Sequence, residues 1–271
     1  MKNKIFDCVT FFQENLQLEL RFNILNQVVD KFIICESVYD HRGREKKVNF
    51  SKDNFPKIKD KIEHIVITKK FPKKNTPWQN QSLQREFIFE GIKNAKDEDY
   101  IMFSDPDEIP NPEKLKDLKL KRKYGIFLQN MYTYKLNLFN KHESPWEGTR
   151  ICKKKNLKSI DWLRSKILLK NLKYRFWRID KEKSIEIINE GGWHFNYLLK
   201  PREISKKFKS LAETSWDKEE YFNEENIVKK IVLKKDLFNR GHTFERVKID
   251  QSYPKYLNEN KEKYKEWILD E

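Results

Sequence analysis

The sequence predicts an α/β fold built on a mostly parallel sheet with helices on both faces, and three observations support this prediction. In the first part of the chain, short runs rich in β-branched and aromatic residues alternate with runs in which apolar residues recur every three or four positions. The short runs are almost continuously apolar, which is typical of parallel strands covered on both faces. Gly and Pro are scarce, with 7 and 9 among 271 residues, and no internal repeat divides the chain. We therefore expect a single domain over residues 1–271.

Four strands are expected near the N-terminus, over residues 4–12, 31–37, 61–69 and 99–105. Four apolar residues at a spacing of four predict a helix between the first two strands. These residues are Leu16, Leu20, Ile24 and Val28. A second helix is predicted over about residues 80–95, where apolar and small residues follow the same spacing. Because strands and helices alternate, we expect parallel strands joined by right-handed crossovers.

The chain beyond residue 112 follows a looser pattern. Residues 124–139 alternate in polarity and predict long antiparallel strands, and residues 184–198 predict a further strand interrupted by a glycine pair. Helices are expected over about residues 201–214 and over residues 253–268 near the C-terminus. The second part of the fold is thus predicted to add antiparallel strands and C-terminal helices to the parallel sheet.

Composition and local patterns argue against membrane insertion and secretion. No run approaches ~20 consecutive apolar residues, the length that spans a bilayer. The basic N-terminus is followed by a short apolar stretch that contains Asp7 and lacks a small-residue cleavage site, so it predicts a strand and not a signal peptide. The three cysteines (Cys8, Cys35 and Cys152) are far apart, and we expect them to be free thiols. A soluble protein of the cytoplasm is therefore expected.

The net charge of +15 raises the question of an anionic partner. Lys is dispersed along the whole chain, whereas a nucleic-acid site would cluster Arg and exposed aromatic residues on one face. We therefore expect no nucleic-acid partner. The dispersed Lys instead favours a solvated, compositional origin of the charge. Attraction to an anionic substrate, and peripheral association with a membrane through the basic surface, remain open.

The stretch YIMFSDPDEIPNP places acidic residues directly after a predicted buried strand, at Asp105, Asp107 and Glu108. Their mutual repulsion is costly unless a cation or polar ligand offsets it. Ligands bind outside the carboxyl ends of parallel strands, where Glu36 and Ser37 also lie, so all of these residues are candidates for the site.

The Asp-x-Asp pair, Asp105 and Asp107, suits a divalent hard cation bridged to a diphosphate. Mg²⁺ and Mn²⁺ favour carboxylate oxygens and take phosphate oxygens as further ligands. One carboxylate would then bind the metal, while the other holds a ribose or a metal-bound water. Pro106 and Pro110 stiffen this turn. The alternative is an ordinary exposed turn, since Asp, Pro and Asn are common in turns.

Two further segments carry candidate binding residues. In GGWHFNYL, Trp193 suits stacking on a sugar or base, and His194 suits nitrogen ligation of the same metal. The alternative is a core Trp beside a hydrogen-bonded His. In SLQREF, Gln84 and Arg85 lie on a helix otherwise turned to the core, where Arg85 suits pairing with a diphosphate. The alternative there is a surface ion pair.

Taken together, seven segments resemble glycosyltransferase family 17. In chain order they are FDCVTFFQENLQLELRFNILNQVVDKFIICES, HRGREKKVNF, SLQREFIFEGI, DYIMFSDPDEIPNP, GGWHFNYL, ISKKFKSLAE and YPKYLNENKEKY. Each segment is weak evidence by itself, whereas their order and spacing agree over nearly the whole chain.

The resemblance implies an inverting, metal-dependent transferase with a GT-A type, Rossmann-like fold. Residues 1–112 would form the nucleotide-sugar-binding half, and residues 113–271 the acceptor half with the C-terminal helices. The donor would be UDP-N-acetylglucosamine, with Asp105-Pro106-Asp107 as the metal motif and Mn²⁺ as the expected ion. An acceptor hydroxyl would lose its proton to a carboxylate base. The candidates, in falling order of preference, are Glu190, Glu147 and Asp217.

A glycan or glycolipid is the expected acceptor, and two other classes of function stay open. A metal-dependent nucleotidyltransferase or phosphodiesterase would also use paired Asp residues, but two-metal chemistry calls for further carboxylates, and only Glu108 is near in sequence. A basic nucleic-acid-binding protein is the third alternative, and the dispersed Lys argues against it.

Overall fold

The computed structural model describes residues 3–215 and 217–270, in which ten strands form one mixed sheet. The strands are β1 (Ile5–Phe11), β2 (Lys31–Ser37), β3 (Ile62–Ile67), β4 (Tyr100–Ser104), β5 (Glu108–Pro110), β6 (Tyr124–Thr133), β7 (Leu138–Phe139), β8 (Trp146–Lys153), β9 (Ile185–Asn196) and β10 (Glu245–Arg246). The α-helices are α1 (Asn15–Leu25), α2 (Pro77–Glu86), α3 (Ile160–Lys166), α4 (Pro201–Ser210), α5 (Glu219–Phe222), α6 (Glu224–Val232) and α7 (Lys255–Glu259).

The parallel part of the sheet has the order β4-β1-β2-β3, and all three of its strand pairs are parallel. Successive side chains of these strands enter two different cores. In β1, Val9 packs with α1 on one face, while Cys8 packs on the other with α3 and the 3₁₀ turn Phe87–Ile92. Because helices cover both faces, the strands are apolar on both sides, as the sequence indicated. The predicted α/β class is confirmed.

The second part of the sheet is mainly antiparallel. β8 pairs with β4, and β6 follows it, with β7 and β10 at the edge. β9 pairs with β6 in parallel and with β5 in antiparallel orientation. The strands predicted over residues 124–139 and 184–198 are therefore present, but these two run side by side in the same direction.

The second predicted helix differs from expectation at both ends. α2 begins at Pro77, because Thr76 and Gln79 form a reciprocal capping box and Pro is favoured at the first helical position. Beyond Glu86 the chain tightens into the 3₁₀ turn. A Cβ atom on Gly91 would lie 2.5 Å from Cγ2 of Ile33, so glycine permits this turn to pack directly on β2.

Three apolar clusters fill the interior, one on each face of the sheet and a third beneath α4 and α6. The three cysteines are buried and free, in agreement with the prediction. Across residues 3–215 and 217–270, we find no helix with the length and apolarity needed to cross a membrane.

Candidate active site

The acidic turn lies at the carboxyl end of β4 and leads into β5. The amide of Glu108 donates to the carbonyl of Asp105 at 3.0 Å, which closes the turn. β5 then pairs with β9, so that Glu108 lies opposite His194. The amide of Phe195 donates to the carbonyl of Asp107 at 2.8 Å. The two segments that the sequence singled out are thus brought together by strand pairing.

A buried ion pair supports the turn from within the fold. Arg21 of α1 and Asp7 of β1 have side chains that are 0% and 1% exposed, and the guanidinium binds both carboxylate oxygens at 2.5 and 2.6 Å. The same guanidinium donates to the carbonyl of Glu108 at 2.6 Å and to Oγ of Ser104 at 2.6 Å. Arg21 therefore links the first βα unit to the backbone of the acidic turn.

Asp107 is buried between the imidazole of His194 and the ammonium of Lys207. Its Oδ1 atom lies 3.5 Å from Nε2 of His194, and its Oδ2 atom lies 3.4 Å from Nζ of Lys207, which also contacts Glu14 at 3.0 Å. Burial raises the pKa of Asp107, but the charges of Lys207 and His194 outweigh burial and hold that pKa well below its usual range. Burial lowers the pKa of His194, and the neighbouring Asp107 charge more than reverses this, so the net shift is upward.

The side chain of Asp105 is one-third exposed and lies beside two arginines, Arg164 and Arg85. Nη2 of Arg164 lies 2.7 Å from Oδ2 of Asp105 and 2.7 Å from Oε1 of Glu108, while Arg85 lies 4.0 Å from Oδ1 of Asp105. Burial raises the pKa of Asp105, and the charges of Arg164 and Arg85 bring it below its ordinary value. Both aspartates are therefore carboxylates at neutral pH.

These carboxylates line a cleft of about 380 Å³, a volume suited to a small-molecule ligand. Its wall combines acidic, basic and aromatic side chains. They include Phe12, Glu14, Tyr39, His41, Lys46, Gln84, Asp105, Asp107, Glu108, Glu143, Trp146, His194, Tyr197, Lys207, Glu213, Phe238 and Arg240. Tyr197 stands out because its φ is 51°, a left-handed conformation that is uncommon outside glycine.

The predicted donor-binding residues divide into two groups. Gln84 lines the cleft, where its Oε1 atom lies 2.9 Å from Nε2 of His41, and Arg85 lies behind it with Nη1 2.8 Å from Oδ1 of Asp161. Glu36 and Ser37 are buried at the end of β2, outside the cleft lining.

Glu36 forms hydrogen bonds with the loop that follows β2. It accepts hydrogen bonds from the ammonium of Lys46 at 2.5 Å and from the amides of Asn49 and Phe50 at 2.8 and 3.1 Å. Because Lys46 lines the cleft, Glu36 positions the cleft wall from behind.

Trp193 and Glu190 lie at a second groove of about 880 Å³. Adjacent residues of a strand point to opposite faces, so His194 faces the cleft and Trp193 faces away from it. The indole of Trp193 donates to the carbonyl of Ser252 at 3.0 Å, and exposed Glu190 pairs with Lys114 at 3.1 Å.

The structure places the other two candidate bases outside the cleft as well. Glu147 accepts from the amide of Leu169 at 3.1 Å and pairs with Arg150 at 3.2 Å. Asp217 binds the guanidinium of Arg42 through two contacts of 2.7 and 2.8 Å.

Several residues that line the cleft or contact its carboxylates were not predicted as functional. Lys207 lies on α4, Arg164 on α3, and Trp146 begins β8, where its indole donates to Oε1 of Glu108 at 2.7 Å. The segment ISKKFKSLAE contains Lys207, so the resemblance did point to the right part of the chain. Nothing in the local pattern distinguished this lysine from its neighbours.

The fit of a divalent metal to this site rests on Asp105 and Asp107. Among residues 3–215 and 217–270, no three His, Cys, Asp or Glu side chains converge as a ready-made metal site. The two carboxylates do face one cleft, and Nδ1 of His194 is buried without a hydrogen-bond partner among the described residues. Carboxylate oxygens with one imidazole nitrogen suit Mn²⁺ or Mg²⁺, provided that a phosphate and water complete the coordination.

Comparison with known proteins identifies the class of protein that carries this fold and site. Residues 1–269 match the profile described as Glycosyltransferase family 17. The chain belongs to this family, as the resemblance predicted.

Two relatives and one solved structure illustrate the range of similarity. The β-1,4-mannosyl-glycoprotein 4-β-N-acetylglucosaminyltransferases of Rattus norvegicus and Homo sapiens are each 25% identical over 127 residues, which is 43% of this chain. The match spans 23% of the rat protein and 24% of the human protein. Glucosyl-3-phosphoglycerate synthase from Mycobacterium tuberculosis, solved with Mn²⁺, UDP and phosphoglyceric acid, is 9% identical with a TM-score of 0.37, covering 94% of this chain and 91% of that one.

Proposed function

We propose that this glycosyltransferase moves a sugar, with inversion, from a UDP-sugar to a hydroxyl of a glycan or glycolipid. UDP-N-acetylglucosamine is the expected donor, and Mn²⁺ or Mg²⁺ the expected metal. The observation that supports this most is the placement of Asp105 and Asp107, two carboxylates held ionised in a cleft at the carboxyl end of β4.

At the donor end, Asp105, Asp107 and His194 would hold the metal. A bound divalent ion supplies Lewis-acid stabilisation of the diphosphate that leaves when the anomeric C–O bond breaks. The cleft adds positive charge of its own through Lys207, whose pKa is raised because the charges of Glu14 and Asp107 outweigh its burial. This ammonium is preorganised to stabilise negative charge on the diphosphate.

The acceptor hydroxyl needs a carboxylate base that lines the cleft and that the acceptor can reach. Glu14, Asp40 and Glu108 line the cleft, but their side chains are buried. Glu143 and Glu213 are the more accessible carboxylates of the wall.

We assign the base to Glu143. Its Oε1 atom lies 3.0 Å from Nη1 of Arg240, and its Oε2 atom accepts from Nδ2 of Asn140 at 2.9 Å. These two partners fix the carboxylate beside Tyr197, whose pKa burial raises to about 12, helped by the charges of both Asp107 and Glu143. Glu143 lines the same cleft as the Asp-x-Asp pair.

A nucleotidyltransferase is the less favoured alternative because Glu108 is already engaged. Its Oε1 atom binds Arg164 and Trp146, and its Oε2 atom accepts from the amide of Asp105 at 3.2 Å. It therefore adds no free carboxylate for the second metal that two-metal chemistry uses.

The test is a panel of UDP- and GDP-sugars screened for release of nucleoside diphosphate, with Mn²⁺ and with EDTA. Only a UDP-sugar should be consumed, and only with metal. Asp107→Asn should reduce this turnover at least about 100-fold, since it removes a proposed ligand. Asp117→Asn is the matched control, because this exposed aspartate lies in the following loop and should leave turnover unchanged. Release of pyrophosphate from a nucleoside triphosphate, without turnover of any nucleotide sugar, would instead support the alternative.

A further inference from the structure

The loop that follows α3 exposes large apolar side chains at its tip. Phe176 is 86% exposed, Trp177 55% and Ile179 95%, and all three lie within four consecutive residues. Single exposed apolar residues are common on protein surfaces, whereas a contiguous exposed group of this size marks an interaction site.

Basic residues flank this tip in the sequence. Residues 166–183 contain seven Lys or Arg residues and two Asp or Glu residues. One of the two acids, Asp180, is already neutralised, because Arg178 binds both of its carboxylate oxygens at 2.7 Å and Lys181 lies 3.3 Å away. The loop therefore presents an apolar tip within a positively charged rim.

The loop is held in shape by its own contacts. The ammonium of Lys183 donates to the carbonyls of Arg175 and Arg178 at 2.6 and 3.3 Å, which ties the two ends of the tip together. The rings of Phe176 and Trp177 pack edge to face at 5.1 Å, and the guanidinium of Arg175 lies 5.0 Å from the centre of the Trp177 ring. Because the tip is preformed, little conformational entropy would be lost when it binds.

We propose that residues 174–183, the aromatic loop, dock the protein on the surface of an anionic phospholipid bilayer. Phe176, Trp177 and Ile179 enter the interface between headgroups and acyl chains, and the basic rim faces the lipid phosphates. Aromatic and aliphatic side chains with neighbouring Lys and Arg are the composition that peripheral membrane segments use.

The composition of the tip favours a bilayer over a single-stranded nucleic acid. Proteins that bind single-stranded nucleic acids present flat aromatic side chains on which the bases stack. Here the most exposed of the three apolar residues is Ile179, which has no aromatic face, and Arg175 lies over the Trp177 ring. An aliphatic side chain such as that of Ile179 favours binding when it inserts into a bilayer, and it adds little to the recognition of a base.

The test is co-sedimentation of the full chain with phosphatidylcholine vesicles, with and without phosphatidylglycerol. Wild type should bind the anionic vesicles and not the neutral ones, and the binding should weaken as salt screens the basic rim. Phe176→Ser/Ile179→Ser should lower the partition coefficient at least about tenfold, because two inserted apolar side chains are lost. Circular dichroism checks that the variant remains folded.

Trp177→Ser and Trp78→Ser form a matched pair, because these tryptophans are 55% and 53% exposed at different places on the surface. Only Trp177→Ser should weaken vesicle binding. Absence of binding by wild type, or equal losses in the two tryptophan variants, would overturn the proposal.

Two parallel measurements test whether a nucleic acid or a second copy of the chain binds this loop instead of a bilayer. If Phe176→Ser/Ile179→Ser loses affinity for a fluorescent oligouridine but binds vesicles like wild type, the loop is a nucleic-acid site and the proposal is wrong. If sedimentation velocity shows a wild-type dimer that this variant abolishes, again with unchanged vesicle binding, the loop joins two copies of the chain and the proposal is also wrong.

Discussion

Replacing Arg21 by Met removes the cation that holds the acidic turn to the first strand. The guanidinium makes two contacts of 2.5 and 2.6 Å with Asp7 and one of 2.6 Å with the carbonyl of Glu108, and its side chain is 0% exposed. Met has a similar volume, so the main effect is the loss of charge. An unpaired buried carboxylate at Asp7 costs about 3–5 kcal/mol of unfolding free energy.

The double variant Asp7→Leu/Arg21→Met separates charge from hydrogen bonding. With both charges gone, the remaining cost is the unsatisfied carbonyl of Glu108, about 1–3 kcal/mol. Ser104 keeps its contact with Thr149 at 3.1 Å. The double variant should therefore be more stable than Arg21→Met alone.

Urea unfolding followed by circular dichroism at neutral pH measures these differences. Arg178→Met is the control. Arg178 contacts both carboxylate oxygens of Asp180 at 2.7 Å, but this pair is exposed, so its loss should leave the unfolding free energy almost unchanged. A double variant that is no more stable than Arg21→Met would refute the reasoning, as would a cost below about 1 kcal/mol for the single variant.

Three further predictions concern the cleft and the core. Glu143→Gln should reduce kcat for sugar transfer by about 10²–10⁴-fold with little change in the donor KM, while Glu213→Gln should keep a kcat close to that of wild type. A larger loss of kcat in Glu213→Gln than in Glu143→Gln would assign the base to Glu213 instead. His194→Ala should raise the Mn²⁺ concentration needed for half-maximal donor turnover, because a ring nitrogen next to Asp107 is lost, and an unchanged requirement would make His194 a packing residue. Burial raises the pKa of Cys35 and Cys152 to about 12. At pH 8 the native protein should therefore resist a thiol-specific disulfide reagent until urea exposes all three cysteines. Fast labelling of the native protein would contradict the burial of the cysteines.

The parallel half of the sheet could be predicted because its signal is local. The centre of β2, residues 32–35, is continuously apolar, and the predicted range 31–37 is the range that the structure shows. The strand-then-helix order also indicated the edge of the sheet at which the cleft lies, since Asp105 and Asp107 directly follow a buried strand. Gln84 and His194 reach the same cleft, as expected for residues that share a site.

The remaining features depend on contacts between distant segments. β8 (Trp146–Lys153) carries Thr149 and Arg150 as buried polar residues, so its sequence lacks the apolar pattern of a strand. Arg150 is tolerated there because its Nε atom donates to the carbonyl of Ile167 at 3.1 Å. Lys207 reaches Asp107 across 100 residues of sequence, and no local pattern indicates such a pair.

The sequence also does not indicate which of two adjacent strand residues faces the cleft. Trp193 and His194 were both candidates, and a strand turns neighbouring side chains to opposite faces. Only the pairing of β9 with β5 and β6 determines which of the two faces Asp107.

Calorimetric titration of UDP, with and without Mn²⁺, tests most directly whether Asp107 holds a metal against the donor diphosphate. Lys207 keeps its 3.0 Å contact with Glu14 in Asp107→Asn, so this variant should stay folded. Mn²⁺ should tighten UDP binding to wild type and to the control Asp117→Asn at least about tenfold, and should have no such effect on Asp107→Asn. Equal tightening of UDP binding by Mn²⁺ in Asp107→Asn and wild type would contradict the proposed site.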